Sequence, residues 1–547
     1  MGLDNQISIP ATNRSNLERG ASLRDAKARI PRNVLSNWAS YAVNLPITFL
    51  ILPLVVHRLG STAYGIWGII GQVMGYSFLL DLGIRIAVTR YVARHVALDE
   101  PRVVNTVLTT GLAFSLIPAS LVLVGGVAGA HILPRLFPIP PELVWDARLS
   151  FFIVATGVAL SFPGSLFNGC VAAVSRYDLL SIRYVIPNII KALLLWYFLV
   201  RGYGLVTVAL VGLVAISTGY TLDYVFARSQ FPSLSIRREF FNISTLRTLM
   251  NFSVYAFILS VSWRMLFMTD SIVVGFVLGP VAVTFYSVGM NLVSLLRESI
   301  GNIANLYSPL ASQMDAVSQE DSLRRLFTSG SRIALLYVLA GVVSLTVLGP
   351  RFLGFWLGES FIGRTGPVVI LLAIEAGFYT LCYTCGQVLY GMNRHKVNAW
   401  LSLGNATANL TLSTIMVRWW GAVGVAWGTI IPAFVIEAII VPVYTASLLN
   451  VSPGLFYKSV VLRPLIAAAP YGLWLWFWRA QGLVHGYGSL ALVVGSGLAL
   501  YALLAWTLSL DDQDRIFARK VLMSLKAMAP GTERTEEAPG GESSPTG

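Results

Sequence analysis

The chain has 547 residues, of which 55% are hydrophobic and only 12% charged, and its formal net charge is +13. A soluble chain of this length carries far more charge and divides into several domains, so composition excludes that class. Apolar runs of about twenty residues point to an all-α polytopic membrane protein. Membrane-spanning β-strands are shorter and alternate in polarity, which excludes an outer-membrane barrel.

Residues 1–33 lack the apolar core of a signal peptide and read as a basic cytoplasmic arm. Runs bounded by charge, Pro or Gly then predict fourteen spans: 34–57, 64–86, 103–129, 150–172, 179–200, 204–226, 250–278, 281–309, 331–350, 366–391, 398–418, 421–447, 462–479 and 486–508. These group into a first six-helix bundle over 34–226, a basic linker over 227–249, a second bundle over 250–448 and an extra helix pair over 449–510. The segment 511–547 ends in a stretch rich in Gly, Pro, Glu, Ser and Thr and is expected to be a disordered cytoplasmic tail. Cys170, Cys382 and Cys385 fall inside apolar segments and read as small buried helix residues, since no further metal ligands accompany them.

The basicity has a topological cause. Of the 39 Lys and Arg, 28 fall on the side shared by both termini and 8 on the opposite side. The positive-inside rule then makes both termini cytoplasmic, in agreement with an even number of spans. Anionic lipid, and no nucleic acid, is the partner such a distribution implies.

The two bundles read as repeats. "LGSTAYGIW" at 59–67 has a cousin, "LGPVAVTFY", at 278–286. Gly60 and Gly279 are 219 residues apart, as are Gly202 and Gly421, while Gly83 and Gly301, and Arg176 and Arg394, are 218 apart. Six helices per repeat is an even number, so the halves share one orientation and are related by an axis along the membrane normal. Two parallel bundles of this kind enclose a central cavity.

The sequence resembles the polysaccharide transporter branch of the multidrug/oligosaccharidyl-lipid/polysaccharide exporter superfamily, which includes bacterial lipid-linked oligosaccharide flippases. The residues that carry the likeness are "LGSTAYGIWGII" and "LLDLGIRIAVTRYVARHV" in the first half, "FMTDSIVVGFVLGPVAVTFYSVG" at the start of the second, and "YGMNRHK" with "WWGAVGVAWGT" near its end. It covers roughly residues 34–450. It implies transport of a polyprenyl-pyrophosphate-linked glycan from the cytoplasmic to the periplasmic leaflet of the bacterial inner membrane by alternating access. Partners among the polysaccharide polymerase and export machinery, and a coupling proton or Na+ in place of any cofactor, come with that resemblance.

Charge inside hydrocarbon is costly and faces a cavity or a partner, which singles out a few residues. Arg264 lies about 21 Å into its span at 1.5 Å per residue, and Lys191 and Arg297 fall well inside theirs. Three cations facing one cavity would suit a pyrophosphate. Asp270, Glu375 and Glu437 are candidates for a coupling proton or cation, with Asp223 placed nearer the surface and solvated. Asp81 and Arg85, four residues apart, fit a same-face gating pair.

Other classes fit less well. A polyprenyl-dependent glycosyltransferase would carry acidic residues in its first outer loop, and "HRLGSTAYG" has none; a polymerase would carry a large outer loop. No nucleophile–base arrangement or metal-ligand cluster is visible, so no catalytic role is expected. Within transport, a peptidoglycan-precursor flippase and a multidrug cation exporter of the same superfamily are the competing readings, and the intramembrane cations lean toward an anionic substrate.

Overall fold

The computed structural model describes residues 16–515 except 175, 252, 253, 306 and 513, with side chains described outside 16–39, 41, 251–260, 302, 303 and 395. Residues 1–15 of the expected basic arm and the expected tail from 516 onward lie outside the described residues. Hydrocarbon offers no water to unpaired backbone groups, so an apolar chain spans it as helices that close their own hydrogen bonds. All the regular elements among the described residues are helical.

In chain order these are α1 (Asn16–Gly75), α2 (Ile84–Ala97), α3 (Pro101–Leu136), α4 (Val144–Ala173), α5 (Tyr177–Val200) and α6 (Leu205–Gln230) in the first half. A short α7 (Ile243–Asn251) follows in the linker. The second half comprises α8 (Val254–Leu278), α9 (Pro280–Ala304), α10 (Tyr307–Ala316), α11 (Glu320–Leu357), α12 (Ser360–Gly391), α13 (His395–Val435) and, after one π-helical turn, α14 (Val441–Leu448). The extra pair consists of α15 (Pro453–Phe456) running into α16 (Arg463–Ala480), and α17 (Tyr487–Leu504).

Eleven helical segments among the described residues are long and apolar enough to cross a membrane, where the sequence predicts fourteen spans. The difference has local causes. α1 and α13 each run through two predicted spans, because the chain bends at Gly60 (φ 75°) and Gly421 (φ 57°) without interrupting the helical hydrogen-bond ladder for long. α9, with Asn291, Ser294, Arg297 and Glu298 on it, is not among the eleven.

The doubled motif has a doubled conformation. Gly60 (φ 75°, ψ 164°) and Gly279 (φ 84°, ψ 175°) adopt nearly the same backbone geometry, which a side chain would strain, and each starts the second helix of its half. Gly202 and Gly421, the other pair 219 apart, also both have positive φ. The third pair diverges: Gly83 is left-handed (φ 79°) and ends a 3₁₀ stretch, while Gly301 lies within α9.

Packing differs between the two faces of the molecule. Around the Gly60 and Gly279 turns, one continuous core draws on both halves, including Ile66, Ile69, Ala155, Val274, Tyr286 and Val368. Toward the basic face the halves keep separate cores, one around Val88, Leu108 and Leu166 and the other around Phe327, Leu339 and Cys385. The halves are therefore joined at the turn face and part toward the basic face.

The joint is close. A Cβ built on Gly65 would sit 1.7 Å from the Pro280 carbonyl oxygen, Thr284 donates to the Ser61 carbonyl, and the Trp356 indole N–H donates to the Phe49 carbonyl at 2.8 Å. The contact is backbone against backbone, with no flexible side chain to give way. Gly65→Ala is expected to destabilise the protein by about 3 kcal/mol or more. The check is the melting temperature of the purified variant in detergent; no shift would contradict a contact this tight.

The extra pair docks on α11. Tyr471 shares a hydrogen bond with Ser344 at 2.7 Å, and Tyr501 and Arg479 donate to the carbonyls of Leu336 and Val347. Below it, Arg332 reaches Asp514 at 2.8 Å, Asp511 and the Ser509 carbonyl, and Arg463 also holds Asp511. Arg332, one of the 28 cations counted from sequence on the side of the termini, is only 4% exposed. Burial alone would raise the Asp511 carboxyl, but the hydrogen bonds and charges of Arg332 and Arg463 outweigh it and hold the group below the usual carboxylate range.

Candidate functional site

The site begins with a break in the helix. After Gly75 the chain tightens into a 3₁₀ stretch, Tyr76–Asp81, and Leu82 (φ 49°) and Gly83 (φ 79°) both turn left-handed before α2 starts. A non-glycine residue there is strained and persists because its surroundings hold it. The break ends the helical register between Asp81 and Arg85: no side-chain ion pair closes between them, but the Arg85 charge and backbone N–H both act on the Asp81 carboxylate. The two residues line one cavity of about 370 Å³ with Ser161, Ser165 and Asn168 of α4, Arg183 and Tyr184 of α5, Tyr220 of α6 and Arg264 of α8.

This cavity lies where the two halves part. Arg264 comes from the second half and donates Nη1 to the Gly75 carbonyl at 2.6 Å, while its guanidinium lies 5.2 Å from the Phe78 ring. The Tyr76 hydroxyl contacts Thr269 and the Arg264 carbonyl. Arg264 Nε is buried without a partner, so the side chain is anchored at one nitrogen and not saturated. A Cβ on Gly75 would meet the Met268 sulfur at 2.5 Å, showing how closely the broken stretch approaches α8.

Arg183 is one of the 28 cations that the sequence reading counts on the side of the termini. α5 starts at Tyr177, so Arg183 lies almost two turns inside the helix. Its Nε donates to Asp223 at 3.0 Å, Asn168 donates to the other carboxylate oxygen at 3.0 Å, and the guanidinium stacks over Tyr184 at 4.9 Å and Tyr220 at 5.2 Å. Asp223, expected near the surface and solvated, is fully buried: it orients Arg183. The signal available in the sequence was the eight-residue spacing from Arg183 to Lys191, which puts both within reach of one helix side.

Two further cavities extend inward. One of about 310 Å³ shares Arg183, Tyr184 and Tyr220 with the first and adds Trp67, Asn188 and Lys191. The next, about 200 Å³, shares Trp67, Asn188 and Lys191 and adds Asn44, Thr48 and Tyr64. Shared walls set the three cavities side by side through the first half, from Arg264 to Asn44.

Arg297 is not among their lining residues. It is buried in the second half, where it pairs with Glu375 and lies 4.8 Å from the Phe267 ring. Glu437 accepts from Asn405 at 2.8 Å and interacts electrostatically with both Glu375 and Arg297. Asp270 forms a second buried group, accepting from Tyr286 at 2.8 Å, Thr429 at 2.7 Å and Ser413 at 3.3 Å. The expected trio of cations is thus divided: Arg264 and Lys191 line the adjoining cavities, and Arg297 neutralises acids elsewhere.

The division has an electrostatic meaning. The adjoining cavities gather Arg85, Arg183, Arg264 and Lys191 against Asp81 and Asp223, whereas the interior of the second half gathers Asp270, Glu375 and Glu437 against Arg297. A basic cavity attracts anions, and a buried acidic network binds cations or protons. Among the described residues no group of three or more His, Cys, Asp or Glu is arranged to hold a metal ion. Cys170 and Cys385 are buried and Cys382 is partly so; all three are free thiols.

A family model described as polysaccharide biosynthesis protein matches residues 30–315, more than half of the chain. The chain belongs to the polysaccharide biosynthesis protein family. Its relatives include the uncharacterized membrane protein EpsK of Bacillus subtilis, 22% identical over 446 residues, covering 80% of this chain and 86% of that one. A second, described as a probable low-salt glycan biosynthesis flippase, Agl15, of Haloferax volcanii, is 20% identical over 412 residues, covering 74% and 81%. Among solved structures, an inward-facing multidrug resistance MATE transporter of the MOP superfamily matches with a TM-score of 0.65 at 15% identity, covering 77% of this chain and 98% of that one. The lipid II flippase MurJ in an inward closed conformation matches with a TM-score of 0.65 at 14% identity, covering 90% and 99%. Those likenesses show the fold. This member of the polysaccharide biosynthesis protein family is a multi-pass membrane protein with the fold of those transporters.

Proposed function

We propose that the protein moves a polyprenyl-pyrophosphate-linked oligosaccharide from the cytoplasmic to the periplasmic leaflet of a bacterial inner membrane, for surface or exopolysaccharide synthesis. The observation that carries this reading is the convergence of Arg85, Arg183 and Arg264 on one cavity at the parting of the halves. A pyrophosphate cannot cross hydrocarbon unaided, and guanidinium forks match its oxygens. Arg264 and Arg85 come from different halves, so an anion between them draws both toward it. Lys191 lines the adjoining cavity.

Both termini are cytoplasmic in this reading, because the basic face is the one from which the halves part. Alternating access then consists of closing that parting around bound substrate and opening the joint at the Gly60 and Gly279 turns. Asp270, Glu375 and Glu437 supply the coupling site for a proton or Na+ within the second half, and Asp81 and Arg85, on either side of the helix break, take part in gating. A translocation rate in proteoliposomes indifferent to both gradients would remove the coupling part of the reading.

Deleting the gene in its host tests the function. A complete lipid-linked repeat unit is expected to accumulate on the cytoplasmic side while the surface polymer disappears, and the trapped glycan identifies the substrate. A trapped peptidoglycan precursor would reassign the substrate. An unchanged lipid-linked pool together with heightened drug sensitivity would overturn the reading in favour of small-molecule export.

A further inference from the structure

Lys191 lies eight residues beyond Arg183 on α5, about 12 Å along the helix axis at 1.5 Å per residue, and lines both inner cavities. No carboxylate pairs with it among the described residues, in contrast to Arg183, Arg297 and Arg332, each of which has one. An ammonium held within a membrane protein without an anion is costly.

Its surroundings are specific. The Asn188 amide donates to Asn44 at 2.8 Å, and Asn44 in turn donates to the Ser40 carbonyl at 2.9 Å. That chain fixes the orientation of Asn188 and leaves its carbonyl oxygen free as an acceptor. Trp67 forms a wall common to both cavities. A cation, a fixed amide acceptor and an indole lining one pocket suit a pyranose ring that carries a carboxylate: the anion pairs with the ammonium, a hydroxyl donates to the amide, and the ring's C–H groups pack on the indole.

We propose that the Lys191 pocket receives a carboxylate-bearing sugar of the lipid-linked glycan, so that the substrate is anionic at two places, its pyrophosphate and one sugar about two helical turns away. This rests on the reading that Arg85, Arg183 and Arg264 take the pyrophosphate. It goes further in assigning a chemical class to the glycan and in making Lys191 the residue that selects it.

The test uses the full chain purified in neutral detergent and two synthetic polyprenyl-pyrophosphate disaccharides that differ only in a terminal glucuronic acid or glucose. Binding is read by intrinsic tryptophan fluorescence. The wild-type protein is expected to bind the glucuronic acid probe about tenfold or more tightly than the glucose probe, the scale of one charge-assisted contact. Lys191→Gln should bring that ratio close to one with little change for the glucose probe, and Lys191→Arg should keep most of it. Lys191→Met removes the charge without leaving a polar group and gives the same readout should the Gln variant fold poorly. Arg264→Gln should weaken both probes by a common factor.

Equal binding of the two probes by wild type would overturn the inference, while a common loss in Arg264→Gln would keep the pyrophosphate reading. Discrimination that survives in Lys191→Gln and Lys191→Met would also overturn it. So would its abolition by added phosphatidylglycerol, which would make the pocket a phospholipid headgroup site. Binding of neither probe would overturn both readings together.

Discussion

Replacing Arg264 with Gln is expected to slow glycolipid translocation at least about 100-fold, the equivalent of one lost charge-assisted double contact worth about 3 kcal/mol. Arg264 is the cation that the second half contributes to the cavity, and its Nη1 bond to Gly75 spans the parting of the halves. Gln can still reach a carbonyl but offers neither charge nor a fork. Arg264→Lys should recover only part of the rate, because a point charge cannot hold Gly75 and a phosphate oxygen in one plane. The measurement is translocation of a fluorescent polyprenyl-pyrophosphate glycolipid in proteoliposomes. A rate within about threefold of wild type, at equal incorporation, would show that the cavity works without this charge.

Much of this arrangement was legible in the sequence, and the part that was not has identifiable causes. Membrane class, helical fold and the paired glycines depend on composition and local backbone demands, which one sequence displays. The positive φ at Gly60, Gly279, Gly202 and Gly421 shows that the repeated spacing marks equivalent bends. The charges are different. Whether Lys191, Arg264 and Arg297 share a cavity depends on how helices rotate against one another, and the rotation is set by packing far from each charge. Spacing identified them as intramembrane cations; it could not place Arg297 against Glu375 on another helix of the same half. Arg183 and Arg332 fall among the 28 cations counted on the side of the termini because each lies at the edge of a predicted span. Arg332 proves to be buried and paired with Asp511 and Asp514, and Arg183 half-buried and paired with Asp223.

The Asp81–Arg85 spacing brought the two residues together at one cavity but not as a same-face ion pair. An i,i+4 argument presumes a continuous helix, and the chain between them passes through two left-handed residues. "LLDLGIR" did contain the warning in Gly83, but Leu82 gives no such sign. Its strain is evident only once the 3₁₀ stretch and the approach to α8 are known.

The buried pair Arg297–Glu375 carries the largest expected effect on stability. Both side chains are almost fully enclosed, and Glu437 is close enough to interact with each. Arg297→Met should therefore cost about 3–5 kcal/mol, chiefly because it leaves Glu375 charged or forces a proton onto it beside a second carboxylate. Arg297→Met combined with Glu375→Leu should recover most of the loss, since a buried pair replaced by apolar groups of similar size is close to neutral. Thermal unfolding of the single and double variants in one detergent gives the comparison. Equal destabilisation in both would mean that the pair contributes through packing and not through compensated charge. Recovery of stability without recovery of gradient-driven transport would separate structure from coupling: the double variant would then have a sound second half that no longer carries the charge the cycle uses. That outcome would locate the acid network's contribution in the transport step, because the cavity that takes the anion, with Arg85, Arg183 and Arg264, is left intact by both substitutions.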